Sequence, residues 1–176
     1  MTRRVFFSFH HERDAWRAGQ VRNCWVCKPD RESAGFWDAA EWEEVKKKGD
    51  DAVKRWIDRR IERTSVTIVL IGAETCEREW VRYEIQRSHE RGNGIIGIRI
   101  HNLKDQNSQT DQPGDVDFGK IDGEHSFSDL YPIYDWEADN GYDNIGDWVE
   151  ASALAAGRQE LGPPSYTSRT TCGHRR

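Results

Sequence analysis

The chain has 176 residues, a formal net charge of −5 and an isoelectric point near 5.7. That length can hold one domain with a real core, and the acidic balance argues against a general nucleic-acid binder, whose footprint is basic. No apolar run approaches the roughly 18 residues of a membrane span. The first residues, Met1 to Ser8, place two arginines before a short apolar run and lack the apolar stretch and cleavage site of a signal peptide, so a cytoplasmic protein is expected.

In chain order, Val5–Phe9 reads as a short apolar strand, ended by the polar run His10 to Asp14. Trp16–Val26 carries Trp16, Val21, Trp25 and Val26 at mixed helical spacing and predicts a helix. A polar connection with Pro29 follows, and Ala34–Trp37 predicts a second, short strand with Asp38 at its exit. The strongly charged segment Glu41–Lys48 ends at Gly49. Asp50 then serves as the expected N-cap of a helix to Arg63, with Val53, Ile57 and Ile61 recurring every four residues.

Ser65–Ile71 is the clearest strand, seven residues rich in Val and Ile, as a buried parallel strand requires. Gly72–Thr75 forms its exit loop, and Trp80–Arg91 the next helix. Gly92-Asn93-Gly94 is a turn before the strand Ile95–Ile100. Strand alternating with helix at this spacing is the βαβ pattern of a mainly parallel sheet with helices on both faces. Residues 101–132 form a long polar loop, a length expected to be functional or mobile, even a lid. Ile133–Trp136 predicts an edge strand and Asp143–Ala156 a closing helix, so the domain is expected to span residues 1–157. Residues 158–176, rich in Pro, Ser, Thr and Arg, read as a disordered tail.

Four cysteines include one C-x-x-C, Cys24 and Cys27, with no second half of a zinc site, so two semi-buried thiols at the first helix and its exit are expected. Most of the eight tryptophans must serve packing. G-x-G-x-x-G, the P-loop, H-E-x-x-H and G-x-S-x-G are all absent, and no metal site is expected. What remains sits at strand exits, where ligands bind in open α/β sheets: Ser8, His10 and His11 after the first strand, Trp37 and Asp38 after the second, Trp80 and Glu84 after the third. Trp80 and Glu84, four apart, share one helix face. An aromatic plane beside a carboxylate suits a cationic heterocycle.

The opening Arg4-Val5-Phe6-Phe7-Ser8-Phe9-His10 resembles the first strand of TIR-like domains, and Trp80-x-x-x-Glu84 is similar to their tryptophan and catalytic glutamate. Together with Val21-Arg22-Asn23-x-Trp25-Val26 and Gly35-Phe36-Trp37-Asp38, the set resembles the ThsB family, the TIR-like sensors of bacterial Thoeris anti-phage defence, over roughly residues 4 to 100. Val81 departs from the small or Cys residue usual after the motif tryptophan. The resemblance implies a flavodoxin-like three-layer fold and an enzyme that cleaves the nicotinamide–ribose bond of NAD+ to give a cyclic ADP-ribose isomer. It further implies a separate NAD-depleting effector that the messenger activates, and a phage-derived trigger. NAD+ is then substrate rather than cofactor. Glu84 takes the catalytic position and Trp80 the neighbouring aromatic one, while Ser8, Phe9 and His10 border the pocket.

The residues suit that chemistry on their own terms. Cleavage builds oxocarbenium character on the ribose, which one carboxylate can stabilise, and nicotinamide leaves without a strong acid. Phe9, Trp37 or Tyr83 would stack a folded-back adenine. Plainer readings stand beside these. Glu84 near a helix start is a dipole partner, Trp80 a packing residue, His10 and His11 surface histidines, Asp38 an Asx-turn residue, and Lys46-Lys47-Lys48 a solvated face. The alternative function is a non-catalytic TIR-like interaction module. A receiver-like phosphorylation domain lacks its acidic cluster after the first strand.

Overall fold

The computed structural model describes residues 3–34 and 39–157. In chain order its elements are β1 (Arg3–Ser8), α1 (His11–Val26), β2 (Arg31–Ser33), α2 (Ala39–Lys47), α3 (Asp50–Ile61) and β3 (Val66–Ile71). A 3-10 turn at Thr75–Glu77 leads into α4 (Glu79–Glu90), then β4 (Gly94–Arg99), α5 (Phe127–Leu130), β5 (Ile133–Asp135) and α6 (Gly141–Ala155). The strands pair in the order β2-β1-β3-β4-β5, every neighbour parallel. This is the flavodoxin-like α/β arrangement that the sequence predicts. Its order reverses between β1 and β3, and the crevice at the carboxyl ends of those strands is where such sheets bind ligands.

Alternation along the strands sorts the core into two layers. Val5 and Phe7 of β1, Ile68 and Leu70 of β3, and Ile96 and Ile98 of β4 face α1 and α6. The intervening residues face the other way: Phe6 meets Trp56 and Ile57 of α3, while Val69 and Ile71 meet Val81 and Ile85 of α4. Ser8 has the parity of Phe6, so its hydroxyl points to the α4 side. On α4 the buried positions are Val81, Glu84, Ile85 and Ser88, one helical stripe in which two members are polar. Ser88 is satisfied by Thr67 of β3 at 2.6 Å.

One strand is added and two expectations change. The second described strand is Arg31–Ser33, a polar edge strand that pairs through its backbone with Arg3–Val5, and Ala34 continues the pairing by donating to the Val5 carbonyl. Residues 35–37 of the expected strand Ala34–Trp37, Trp37 included, lie outside the described residues, as does Asp38. The charged segment is α2, a helix because Trp42 and Val45, three apart, bury one face against Trp56 while the charges face outward. Asp50 begins α3 instead of capping it; the cap is Gly49 at φ 94, a backbone angle that favours glycine.

The long polar segment after β4 is held in place rather than left as a free lid. Arg17, buried on α1, donates Nε to the Leu103 carbonyl (2.8 Å) and Nη2 to the Gln109 carbonyl (3.0 Å), and pairs through Nη1 with buried Asp14 (3.0 Å). Arg99 donates to the Gly114 carbonyl at 2.7 Å. Gly114 lies so close to the β3 exit that a Cβ there would stand 1.9 Å from the Gly72 carbonyl oxygen. Phe118 and Ile121 are buried with Phe127 of α5. Between these anchors Asp105, Asp115, Asp117 and Asp122 accept backbone amides a few residues onward, Asx-type turns that satisfy the chain without a ladder. Among the described residues no helix is long and apolar enough to cross a membrane.

Removing Arg17 leaves Asp14 buried without its ion pair, takes the side-chain donor from the Leu103 carbonyl, and leaves the Gln109 carbonyl only the Asp105 amide. Arg17→Met is expected to cost about 3–5 kcal/mol in urea unfolding, the range for breaking one side of a buried pair. Arg17→Met with Asp14→Asn should recover part of that loss. An Arg17→Met midpoint within error of wild type would show that the clamp does not hold the segment.

Candidate active site

At the carboxyl ends of β1 and β3 lies a cavity of about 220 Å³ lined by Phe9, His10, His11 and Glu12 from the start of α1, Trp42 and Lys46 from α2, and Arg78, Trp80, Val81 and Glu84 from the start of α4. Sequence and topology explain the convergence. β1 and β3 are neighbours in register, Phe7 opposite Ile68 and Ser8 opposite Val69, so their exits open side by side. α2 covers the crevice from the outside.

Glu84 is 1% exposed. Its Oε2 accepts a hydrogen bond from the Ser8 hydroxyl, and its Oε1 has no partner among the described residues. Burial pushes the carboxyl up to about 8, with the Ser8 hydroxyl opposing only in part. A helix beginning at Glu79 puts Glu84 in the second turn, beneath the cavity rather than at the terminal amides, so the dipole-partner reading does not apply.

The aromatic wall is a chain of edge contacts. Trp80 meets Trp42 at 6.5 Å and Tyr83 at 6.0 Å, both near perpendicular, and Trp42 meets Trp56 at 5.6 Å. Trp80 is therefore both a packing residue and a cavity wall. On the other side Phe9 stacks on His11 at 5.5 Å. Lys46 sits 5.6 Å over the Trp42 ring and pairs with Glu43 at 2.6 Å. Arg78 reaches Glu74 only at 3.5 Å, and its Nε has no partner among the described residues.

Of the residues singled out in the sequence, Phe9, His10, His11, Trp80 and Glu84 share the cavity. Ser8 lies beneath it, committed to Glu84. Tyr83 stands apart: its hydroxyl donates to Asp58 of α3 at 3.1 Å and its ring backs Trp80. His10, 7% exposed, is not a surface histidine. Burial lowers its pKa, and the charge of Arg78 lowers it further. Sequence reasoning missed Trp42, Lys46 and Arg78 as cavity residues. The signal for Trp42 was its three-residue spacing from Val45; nothing local marks Arg78, which reaches the cavity only because α4 begins one residue later. Among the described residues no group of three His, Cys, Asp or Glu is placed to hold a metal ion. Cys24 is buried on α1 and Cys27 exposed at its end, both free thiols.

The sequence model of the family described as "Thoeris protein ThsB, TIR-like domain" matches residues 6–105, more than half of the chain. The chain belongs to the ThsB TIR-like family. It is 37% identical over 191 residues to "Putative cyclic ADP-D-ribose synthase ThsB1" of Bacillus cereus (strain MSX-D12), covering 85% of this chain and 100% of that relative. The matched region holds the second half of β1, β2 through β4 and every described residue of the cavity, so the ThsB-like part of the chain is the part that builds the site.

A raised carboxyl in this ThsB-family fold makes stability depend on pH. The folded state keeps the Glu84 proton up to about pH 8, whereas an unfolded glutamate releases it near 4.3. Stability from this group therefore falls as pH rises through that window and levels off above it. Glu84→Gln, neutral and near-isosteric, should be the more stable protein, with the pH-dependent part of the gain reaching on the order of 5 kcal/mol above pH 8. Thermal or urea melts of both proteins from pH 5 to 9 check this; parallel curves would show that Glu84 is not held neutral.

Proposed function

We propose that this chain is an NAD+-processing enzyme of Thoeris anti-phage defence, cleaving the nicotinamide–ribose bond and forming a cyclic ADP-ribose isomer with NAD+ as its substrate and no other cofactor. The observation that carries this is Glu84: a carboxyl removed from water, with one oxygen unpartnered among the described residues, beneath a cavity walled by Trp42, Trp80 and Phe9. A module that only docks to partners has no use for such a group. A buried carboxyl near pH 8 is released from its proton when a positive charge arrives beside it, and the nicotinamide ring of NAD+ brings one. The aromatic faces favour the same cation.

In the reaction the C–N bond lengthens, positive charge moves from the ring to the ribose, and the Glu84 carboxylate, already fixed by Ser8, lies where that charge develops. No solvent needs to reorganise around it, because it is already excluded. At about 220 Å³ the cavity is smaller than the ~300–1,000 Å³ of most ligand pockets, matching one end of a dinucleotide rather than the whole. The rim cations Lys46 and Arg78 suit the diphosphate that follows. The remaining parts of the proposal are a downstream NAD-depleting effector that answers to the diffusible product, a phage-derived trigger, and action in the cytoplasm.

The test is mass spectrometry of small molecules from cells carrying wild type or Glu84→Gln, with and without phage. Wild type is expected to accumulate nicotinamide and a cyclic ADP-ribose isomer on infection, and Glu84→Gln to lower both about 10²–10³-fold. With isolated protein, kcat/KM should rise with pH up to about 8, since the ionised carboxylate is the working form in the free enzyme. Wild-type product levels from Glu84→Gln would overturn the assignment.

A further inference from the structure

Cleavage expels neutral nicotinamide and sets free no proton. Capture of the resulting cation is different. An attacking hydroxyl must lose its proton as its oxygen bonds to the anomeric carbon, whereas a ring nitrogen attacks through its lone pair with no proton to lose. Glu84 is poorly placed to take that proton: Oε2 receives the Ser8 hydroxyl, and Oε1, which has no partner among the described residues, is the oxygen that the proposed reaction assigns to the cation.

His10 is differently placed. It follows β1 directly and lines the same cavity as Glu84 and Trp80. It is 7% exposed, yet neither ring nitrogen has a hydrogen-bond partner among the described residues. It is the N-cap residue of α1 but makes no side-chain cap bond. A buried imidazole that no described residue hydrogen-bonds is open to a ligand's polar group. The charges around it are Glu12 and Arg13 on α1, Glu74 after β3, and Arg78 at the head of α4; Lys46 and Glu84 line the same cavity. Burial and Arg78 lower its proton affinity, Glu12 and Glu74 oppose them, and the balance leaves the ring unprotonated at neutral pH, the form that accepts a proton.

We infer that His10 is the general base of the bond-forming half of the reaction, taking the proton of an incoming hydroxyl, either water's or one of the substrate's own ribose hydroxyls. The inference rests on the NAD+ reading above. The electron pair of the breaking C–N bond leaves with nicotinamide. A lone pair of the attacking oxygen forms the new C–O bond, and the O–H pair stays on that oxygen as the proton passes to a ring nitrogen of His10. The imidazolium then returns the proton to solvent, and nothing is oxidised or reduced. A ribose hydroxyl gives a cyclic product and water gives linear ADP-ribose, two products that differ in mass by one water.

The experiment uses the full chain isolated from phage-infected cells, supplied with NAD+ with and without 3-acetylpyridine. That pyridine captures the same cation through its ring nitrogen and needs no base. His10→Gln is expected to lower oxygen capture about 10²–10⁴-fold, while exchange with the pyridine falls less than about tenfold. Added imidazole should restore oxygen capture to His10→Ala. In wild type the ratio of oxygen capture to exchange should fall as the medium is acidified, because Glu84 acts on both products and cancels, and in His10→Gln the ratio should be flat. Parallel loss of both products in His10→Gln with no imidazole rescue of His10→Ala would overturn the assignment, as would products at wild-type levels. Glu84→Gln should lose both products, and equal exchange by wild type and Glu84→Gln would instead overturn the role of Glu84. A wild-type protein that neither releases nicotinamide nor exchanges it would overturn the NAD+ reading itself.

Discussion

The hydrogen bond from Ser8 to Glu84 ties the sheet to the chemistry above it. It exists because two periodicities meet: the pleat of β1 sends Ser8 to the α4 side, and the stripe Val81–Glu84–Ile85–Ser88 turns Glu84 down onto the sheet. The carboxyl gains a fixed position and loses water. Without water its negative charge is costly, and for the same reason its attraction for a cation is strong. Ser88 shows the contrast. It occupies the same stripe one turn later, but Thr67 satisfies it and it does not line the cavity that Glu84 lines. What sets Glu84 apart is an oxygen with no partner among the described residues.

The surroundings of that bond are fixed from two directions. From α1, Arg17 ties down the segment after β4, and Gly114 seats on the turn at Gly72, so the exit of β3 has a solid neighbour instead of a moving lid. Burial nevertheless pushes the Asp14 carboxyl up from its ordinary value, with Arg17 offsetting this only in part, so the clamp works as much through the two carbonyls it holds as through the ion pair. From the other direction α2 and α3 stack Trp42 and Trp56 behind Trp80. The aromatic wall thereby inherits the rigidity of a buried cluster, which is what holds a ring in one orientation against a carboxylate.

Legibility in the sequence followed the apolar pattern. β3 and β4 are continuous apolar runs and α3 repeats Val53, Ile57 and Ile61, so each was readable within a residue or two. β2 was not readable because Arg31-Glu32-Ser33 carries no apolar signal; its strand character comes entirely from pairing with β1. α2 was hidden by its charges, its burial resting on Trp42 and Val45 alone. At the site, Glu84 and Trp80 were readable from their four-residue spacing, and the burial of Glu84 was implicit in its register with Val81 and Ile85. His10 was not. A histidine pair after a strand looks like loop surface, and only the packing of α1, α2 and α4 around it takes it out of solvent. Tyr83 illustrates the converse: adjacent to the site in sequence, it lies one helical face away in space, bonded to Asp58.

Burial acts on the two ionisable groups of the cavity in opposite senses. It raises the proton affinity of Glu84 and lowers that of His10, so both tend to the neutral form. An empty cavity thus has an uncharged floor, with Arg78 and Lys46 as the positive charges among its lining residues and Glu12 as the exposed negative one. A bound cation changes this unevenly. It favours ionisation of Glu84, and it further disfavours a proton on His10, so one arriving charge sets the carboxylate and keeps the imidazole free. Desolvation thus brings both groups to the neutral form, and in the proposed reaction a cationic substrate would ionise the carboxyl alone. That coupling requires no movement of the backbone. It requires only that both side chains be buried at one cavity, as the neighbouring exits of β1 and β3 make them.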